Sequence, residues 1–220
     1  MKEEIDLLCG WRSGARAGGL SSKLVAVLIL GSVLVSACSG SRAEPPADIS
    51  ADSLIVSVDE VEQIASFKGF TQDQTMRANE PHPDSRAVQE CKAVYDQGVI
   101  FGEGPKEFRS VSYGGTTGSQ IKGVAEVVQN IGVYQQAESA RSAFDRLMPA
   151  LRGCFELHIK NYDFAVGQPD PATIVLTSNY KVAIAYRLKA SVLTNVVVIG
   201  LQHPDLVARG VLDVITERIQ

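Results

Sequence analysis

Residues 182–201 read VAIAYRLKASVLTNVVVIGL. Ile184, Tyr186 and Leu188 alternate with Ala185, Arg187 and Lys189, which is the period-two pattern of a half-buried strand over Val182 to Leu188. A second strand follows from Val192 to Leu201, and from Asn195 onward it is apolar on both faces, which predicts a central position in a sheet. Past it, Leu206, Val207, Gly210, Val211, Val214, Ile215 and Ile219 fall on one stripe of a helix over Pro204 to Ile219. A sheet that hands over directly to an amphipathic helix sets the fold class.

The same grammar extends upstream. Ser57-Val58-Asp59-Glu60 has the spacing of a capping box, and Val58, Val61, Ile64 and Ala65 continue it as a short helix that ends near Lys68-Gly69. Phe70 to Ser85 is polar and reads as a surface loop, and a second short helix covers Arg86 to Tyr95. Phe108 to Tyr113 and Val124 to Tyr134 read as strands joined through a turn at Gly114 to Ser119. A helix from Ala137 to Cys154, kinked at Pro149, presents Ala140, Phe144, Leu147, Met148 and Leu151 on one face. Further strands are expected at Cys154 to Ile159 and at Ala172 to Ser178. The expected architecture is a single α+β domain, an antiparallel β-sheet of about five to six strands with flanking helices covering one face.

The chain has 220 residues, 45% of them apolar and 21% charged, with a net charge of -4. That composition excludes collagen-like and wholly disordered chains. It also lacks the basic excess that drives nucleic-acid binding, so no nucleic-acid partner is expected.

The N-terminus reads as an export leader. Leu24 to Ala37 is an uncharged apolar run preceded by Arg12, Arg16 and Lys23. Its 14 residues would cover roughly 21 Å as a helix, short of the ~30 Å hydrocarbon core. Val35-Ser36-Ala37-Cys38 closes the run and resembles a bacterial lipobox, in which small residues fit the signal peptidase and the cysteine thiol takes the lipid. The other readings are an ordinary secretory signal with a chance cysteine, or a buried apolar helix. On the lipobox reading, 1–37 is a lipoprotein signal peptide, Cys38 is the lipidation site, and 38–53, rich in Ser, Ala, Pro and acids, is a flexible tether. The domain occupies 54–220, held on the extracytoplasmic face of the cell membrane by the lipid. Glu3, Glu4 and Asp6 are atypical of such a leader and point to a start further along, near Leu20.

Export also bears on the cysteines. Beyond Cys38, the processed chain keeps Cys91 and Cys154, and outside the reducing cytosol these two are expected to form a disulfide. The alternatives are two separate buried thiols or a redox-active pair, the latter without the usual Cys-x-x-Cys spacing.

Taken in order, the lipobox leader, the polar linker, LIVSVDEV from Leu54, a cysteine before a Tyr-containing segment, a second cysteine closing an Ala-rich helix, and the Asn195 to Val198 strand before a terminal helix resemble the PknH-like extracellular domain. That domain stands outside the membrane on the mycobacterial Ser/Thr kinase PknH and on several mycobacterial lipoproteins. The resemblance implies an antiparallel sheet flanked by helices and a cleft that takes an unknown ligand. This chain departs from the family in having no cysteines for a second disulfide, and in placing Leu151 where a tryptophan commonly precedes the helix cysteine.

No motif assembles chemistry. Gly114 to Ser119 lacks the Gly-Lys-Ser/Thr ending of a phosphate loop, and Gly102-Glu103-Gly104-Pro105 lacks the third glycine of a dinucleotide fingerprint. His203-Pro204-Asp205 repeats the tripeptide known from J-domains, but it opens a helix with Pro at its first position, which explains it. His158 is expected on the polar side of a strand and His82 in a proline-rich loop, and no two histidines have ligand spacing, so neither metal nor cofactor is expected. Together with this absence of catalytic signatures, the resemblance implies a non-catalytic, sensor-like lipoprotein domain that binds a small molecule or envelope component. Its alternative is a structural or interaction lipoprotein that docks an envelope protein.

Overall fold

The two strands that open the sequence reading form the middle of a seven-stranded sheet. The computed structural model describes residues 49–118 and 122–219, apart from the side chains of 72–74. The leader, Cys38 and the tether up to 48 lie outside the described residues. The strands are β1 (Phe70–Ala78), β2 (Pro105–Thr117), β3 (Gly123–Tyr134), β4 (Ala165–Asp170), β5 (Thr173–Thr177), β6 (Val182–Lys189) and β7 (Val192–Ile199). They are ordered β1-β2-β3-β7-β6-β5-β4, every neighbouring pair antiparallel. The α+β class expected from the sequence is therefore correct, and the strand count is seven rather than five to six.

Helices cover both faces, not one. On the first face lie α1 (Ala51–Leu54), α2 (Val58–Ala65) and α7 (Pro204–Arg218). On the second lie a 3-10 turn (Gln89–Cys91), α3 (Lys92–Tyr95), α4 (Gln97–Phe101), α5 (Ala137–Asp145) and α6 (Leu147–Glu156). Side-chain size along β6 explains the division. Ala183 and Ala185 turn toward α7 and let it lie close, whereas Ile184, Tyr186 and Leu188 fill the thicker layer beneath α5 and α6. All five are buried, and each of the larger apolar side chains is worth about 1.5–3 kcal/mol relative to exposure. At Gly210 a Cβ would stand 2.7 Å from Ile64 Cγ2, so the glycine allows α7 to approach α2 closely.

The misread segments have physical causes. β1 and β4 are the two edge strands, hydrogen-bonded on one side only and largely exposed, so they need no apolar alternation and their sequences look like loops. Pro169 is tolerated in β4 for the same reason. The region 154–159 is no strand: Leu147, Leu151 and Cys154 keep one buried helical face to the end of α6, and His158 and Asn161 then turn the chain with φ 50° and 75°. The expected helix from Ala137 is broken at Arg146 into two, which puts Pro149 in the first turn of α6, where its missing N–H costs no bond. Gly114 to Thr117 remain in β2, so the hairpin turn lies beyond them. The helix expected at Arg86 to Tyr95 is instead the 3-10 turn, α3 and α4, running on to Phe101. Ala51 and Leu54 are buried against the sheet, so packing begins inside the stretch read as tether.

The capping box holds as read. Ser57 Oγ accepts from Glu60 N, and Glu60 accepts from Ser57 N at 2.9 Å. Arg218, at the end of α7, donates to Glu60 at 2.6 Å and to the carbonyl of Ile55 at 2.7 Å, tying α2 to α7 at this pole of the molecule. The hydrogen bonds from Ser57, then the Arg218 guanidinium, hold the Glu60 carboxyl at about 2, below its ordinary 4.5. A depressed carboxylate stabilises the fold above its unfolded value and loses that contribution as pH falls toward its folded value. Acid titration of stability should therefore show a loss between about pH 4.5 and 2 that Glu60→Gln abolishes. At neutral pH the same variant should cost about 1 kcal/mol, the worth of a cap.

Candidate functional site

A row of polar side chains crosses the second face in register: Ser110 of β2, Asn130 of β3, Asn195 of β7 and Tyr186 of β6. Asn130 donates to Asn195 at 2.8 Å and accepts from Gln97 of α4 at 2.9 Å. Tyr186 donates to the carbonyls of Ala93 and Val94 at 3.1 and 3.2 Å, holding α3 down. Burial pushes the Tyr186 phenol far above its ordinary range, so it stays a donor. These groups satisfy one another and the backbone, which suits a structural role.

The disulfide between Cys91 and Cys154 is formed, with Cα atoms 4.7 Å apart and both residues buried. It joins the 3-10 turn and α3 to α6. His82 and His203 are exposed, each in a separate part of the chain from His158. Among the described residues no group of three or more His, Cys, Asp or Glu could hold a metal ion.

The strongest candidate for a binding site is a cavity of about 570 Å³ at the end of the sheet where β2, β6 and β7 meet the C-terminus of α2 and the N-terminus of α7. Part of its lining is apolar, from Ile64, Phe67, Leu201, Leu206 and Val207. Phe67 is set in place by an edge-on contact with Phe70, ring centroids 5.1 Å apart. Ser66, Thr117, Lys181, Gln202 and His203 add polar groups to the same lining. Neither Lys181 nor His203 has an ion-pair partner among the described residues.

Backbone conformation concentrates at this cavity. Among the described residues nine have positive φ, and five of them, Ser66, Gly118, Lys181, Gly200 and His203, line it. Such conformations cost free energy in non-glycine residues and gather at functional sites. The loop from β7 to α7 is fixed by Gly200, whose N–H donates to the carbonyl of Lys181 at 2.9 Å. An added Cβ at Gly200 would stand 1.8 Å from the carbonyl oxygen of Val124, so this loop rests directly on the start of β3. His203 caps α7 with φ 50° and no side-chain bond to the helix, leaving its imidazole beside the cavity.

None of these residues was legible as a site in the sequence. His203 was visible only as the opening of a helix, and nothing singled out Lys181. The common thread is backbone handedness, which glycine alone signals.

The chain matches the PknH-like extracellular domain over residues 46–218. It belongs to that family. The PknH-like family is an extracellular one, which places this domain on the extracytoplasmic side of the membrane. The crystal structure of the extracellular domain of PknH from Mycobacterium tuberculosis shares the fold, with a TM-score of 0.56 and 12% identity, over 76% of this chain and 93% of that one. No curated protein matches the chain.

Proposed function

We propose that this PknH-like domain is a non-catalytic, sensor-like module on a membrane-anchored lipoprotein, and that it binds a small molecule or envelope component in the cavity between α2, α7 and the sheet. The observation that carries the reading is the cavity itself. Its volume of about 570 Å³ lies in the range of small-molecule sites, and its lining combines apolar side chains with a few placed polar groups. Its one imidazole, His203, has no carboxylate partner to orient it among the described residues, which favours binding over catalysis.

The cavity lies at the far end of β2 from Ser50 and Asp52. Ser50 bonds Glu107 and Asp52 pairs with Arg109 at the start of β2, whereas the cavity lies beyond the end of that strand. A ligand that spans the ends of α2 and α7 would also set their spacing, which Glu60 and Arg218 fix at the other pole.

Cys38→Ala should abolish incorporation of radiolabelled lipid and partitioning into detergent phase, and unchanged labelling would refute the anchor. For binding, a saturating ligand at a hundred times its Kd should stabilise the fold by about 2.7 kcal/mol. A thermal-shift series of envelope lipids, glycans and metabolites is the direct assay. The docking alternative draws on Met76 and Val124, 65% and 66% exposed on the same face of the sheet. A reproducible cross-link to one envelope protein through that face, with no small molecule bound, would favour it.

A further inference from the structure

We infer that the cavity at the α2–α7 end takes a single-chain amphiphile with an anionic head, a carboxylate or a phosphate. The inference rests on the binding role proposed above and adds the ligand's chemistry. Charge is the first observation. Lys181 and His203 both line the cavity, and among the described residues neither is paired with an acid and no Asp or Glu lines it. A basic mouth without a counter-ion is complementary to an anion, and a lysine with three free donors recognises either head group.

The apolar part of the lining supplies the second observation. Leu206 lies 57% exposed at the first turn of α7, so the cavity presents apolar surface at its rim. Val207 and Leu201 line the cavity but are themselves 4% and 3% exposed, so Leu206, Ile64 and Phe67 carry most of its accessible apolar lining. Ile64 and Phe67 face them from the end of α2. A polar metabolite would leave the apolar lining bare, and a neutral alkane would leave the Lys181 ammonium without a partner. The volume, about 570 Å³, suits one acyl chain with a compact head and is too small for a two-chain phospholipid.

Rigidity is the third. Lys181 and His203 both hold left-handed backbone, and Gly200, hydrogen-bonded to Lys181, ties their two loops together. Lys181 and His203 are therefore carried on adjoining turns, and the backbone bond fixes where both side chains begin.

The test uses the full chain in its own membranes and a photoreactive palmitate analogue bearing a diazirine, with cross-linked peptides mapped by mass spectrometry. Label is expected on the peptides that contain Phe67 and Leu206. Palmitate and lysophosphatidate are the competing arms that separate a free fatty acid from a lipid phosphate head, and competition by either supports the inference. Palmitate methyl ester should compete about tenfold more weakly than the acid, and Lys181→Gln with His203→Gln should reduce labelling by about the same factor. Leu206→Asp, at an exposed position that the fold does not need, should abolish labelling without changing the melting temperature.

Equal competition by ester and acid would overturn the anionic recognition, and label scattered outside the cavity would overturn the site. If instead a polar metabolite raises the melting temperature and Lys181→Gln has no effect on it, the inference fails while the binding role stands. If no ligand of any class saturates, both fail.

Discussion

Cys91→Ala should lower the free energy of unfolding by about 2–5 kcal/mol, with the loss concentrated in the segment from Gln89 to Phe101. The cysteines are 63 residues apart, and closing a loop of that size removes about 4 kcal/mol of unfolded-chain entropy. The local consequence follows from length. The 3-10 turn, α3 and α4 contain three, four and five residues, far too few to be helical alone, so they exist because something holds them against the core. The disulfide grips the start of this run, and Tyr186 grips the carbonyls of Ala93 and Val94 behind it. Chemical denaturation measures the global loss, and hydrogen exchange should show protection falling in this segment first. Cys154→Ala and the double variant should match Cys91→Ala, since any one of them removes the same bond. A variant as stable as the parent would mean that the bridge contributes nothing.

Gly200→Ala should cost about 3 kcal/mol or more and should also eliminate binding in the cavity. Two effects combine at this position. The residue has φ 75°, which an alanine adopts only under strain, and its Cβ would stand 1.8 Å from the Val124 carbonyl oxygen and 2.9 Å from its carbon. The obstacle is backbone of β3, so no side-chain rotation relieves it. The loop from β7 must lift, and with it the N-terminus of α7 and the hydrogen bond to Lys181. Gly153→Ala supplies a control of opposite sign. It lies inside α6, nothing stands within 4 Å of an added Cβ, and a helical Gly→Ala change there should stabilise by about 0.5–1 kcal/mol. Denaturation midpoints of the two variants should therefore move in opposite directions.

The sequence was informative wherever burial imposed a period. β5, β6 and β7 lie inside the sheet, covered on both faces, and their Val, Ile and Leu runs were readable; so were α2, through Ser57 and Glu60, and α7, through Pro204 and its stripe. Edge strands carry no such constraint. β1 contains Gln72-Asp73-Gln74-Thr75, and β4 contains Gly167-Gln168-Pro169; both are strands through tertiary pairing, against local propensity. The segment after Cys154 failed for a different reason: Leu157-His158-Ile159 alternates like a strand, but the helix that precedes it continues to bury Cys154. The disulfide could be anticipated from compartment and from the absence of another partner. The cavity could not, because it arises where four distant segments meet and its marks are backbone dihedrals.

The central claim is that this extracytoplasmic domain holds a small molecule in the cavity between α2 and α7. Native mass spectrometry of the full chain, released from its own envelope, tests it most directly. The expected spectrum shows a non-covalent adduct of small-molecule mass that is absent from Leu206→Asp. A spectrum of the bare chain, or an adduct that persists unchanged in Leu206→Asp, would contradict it.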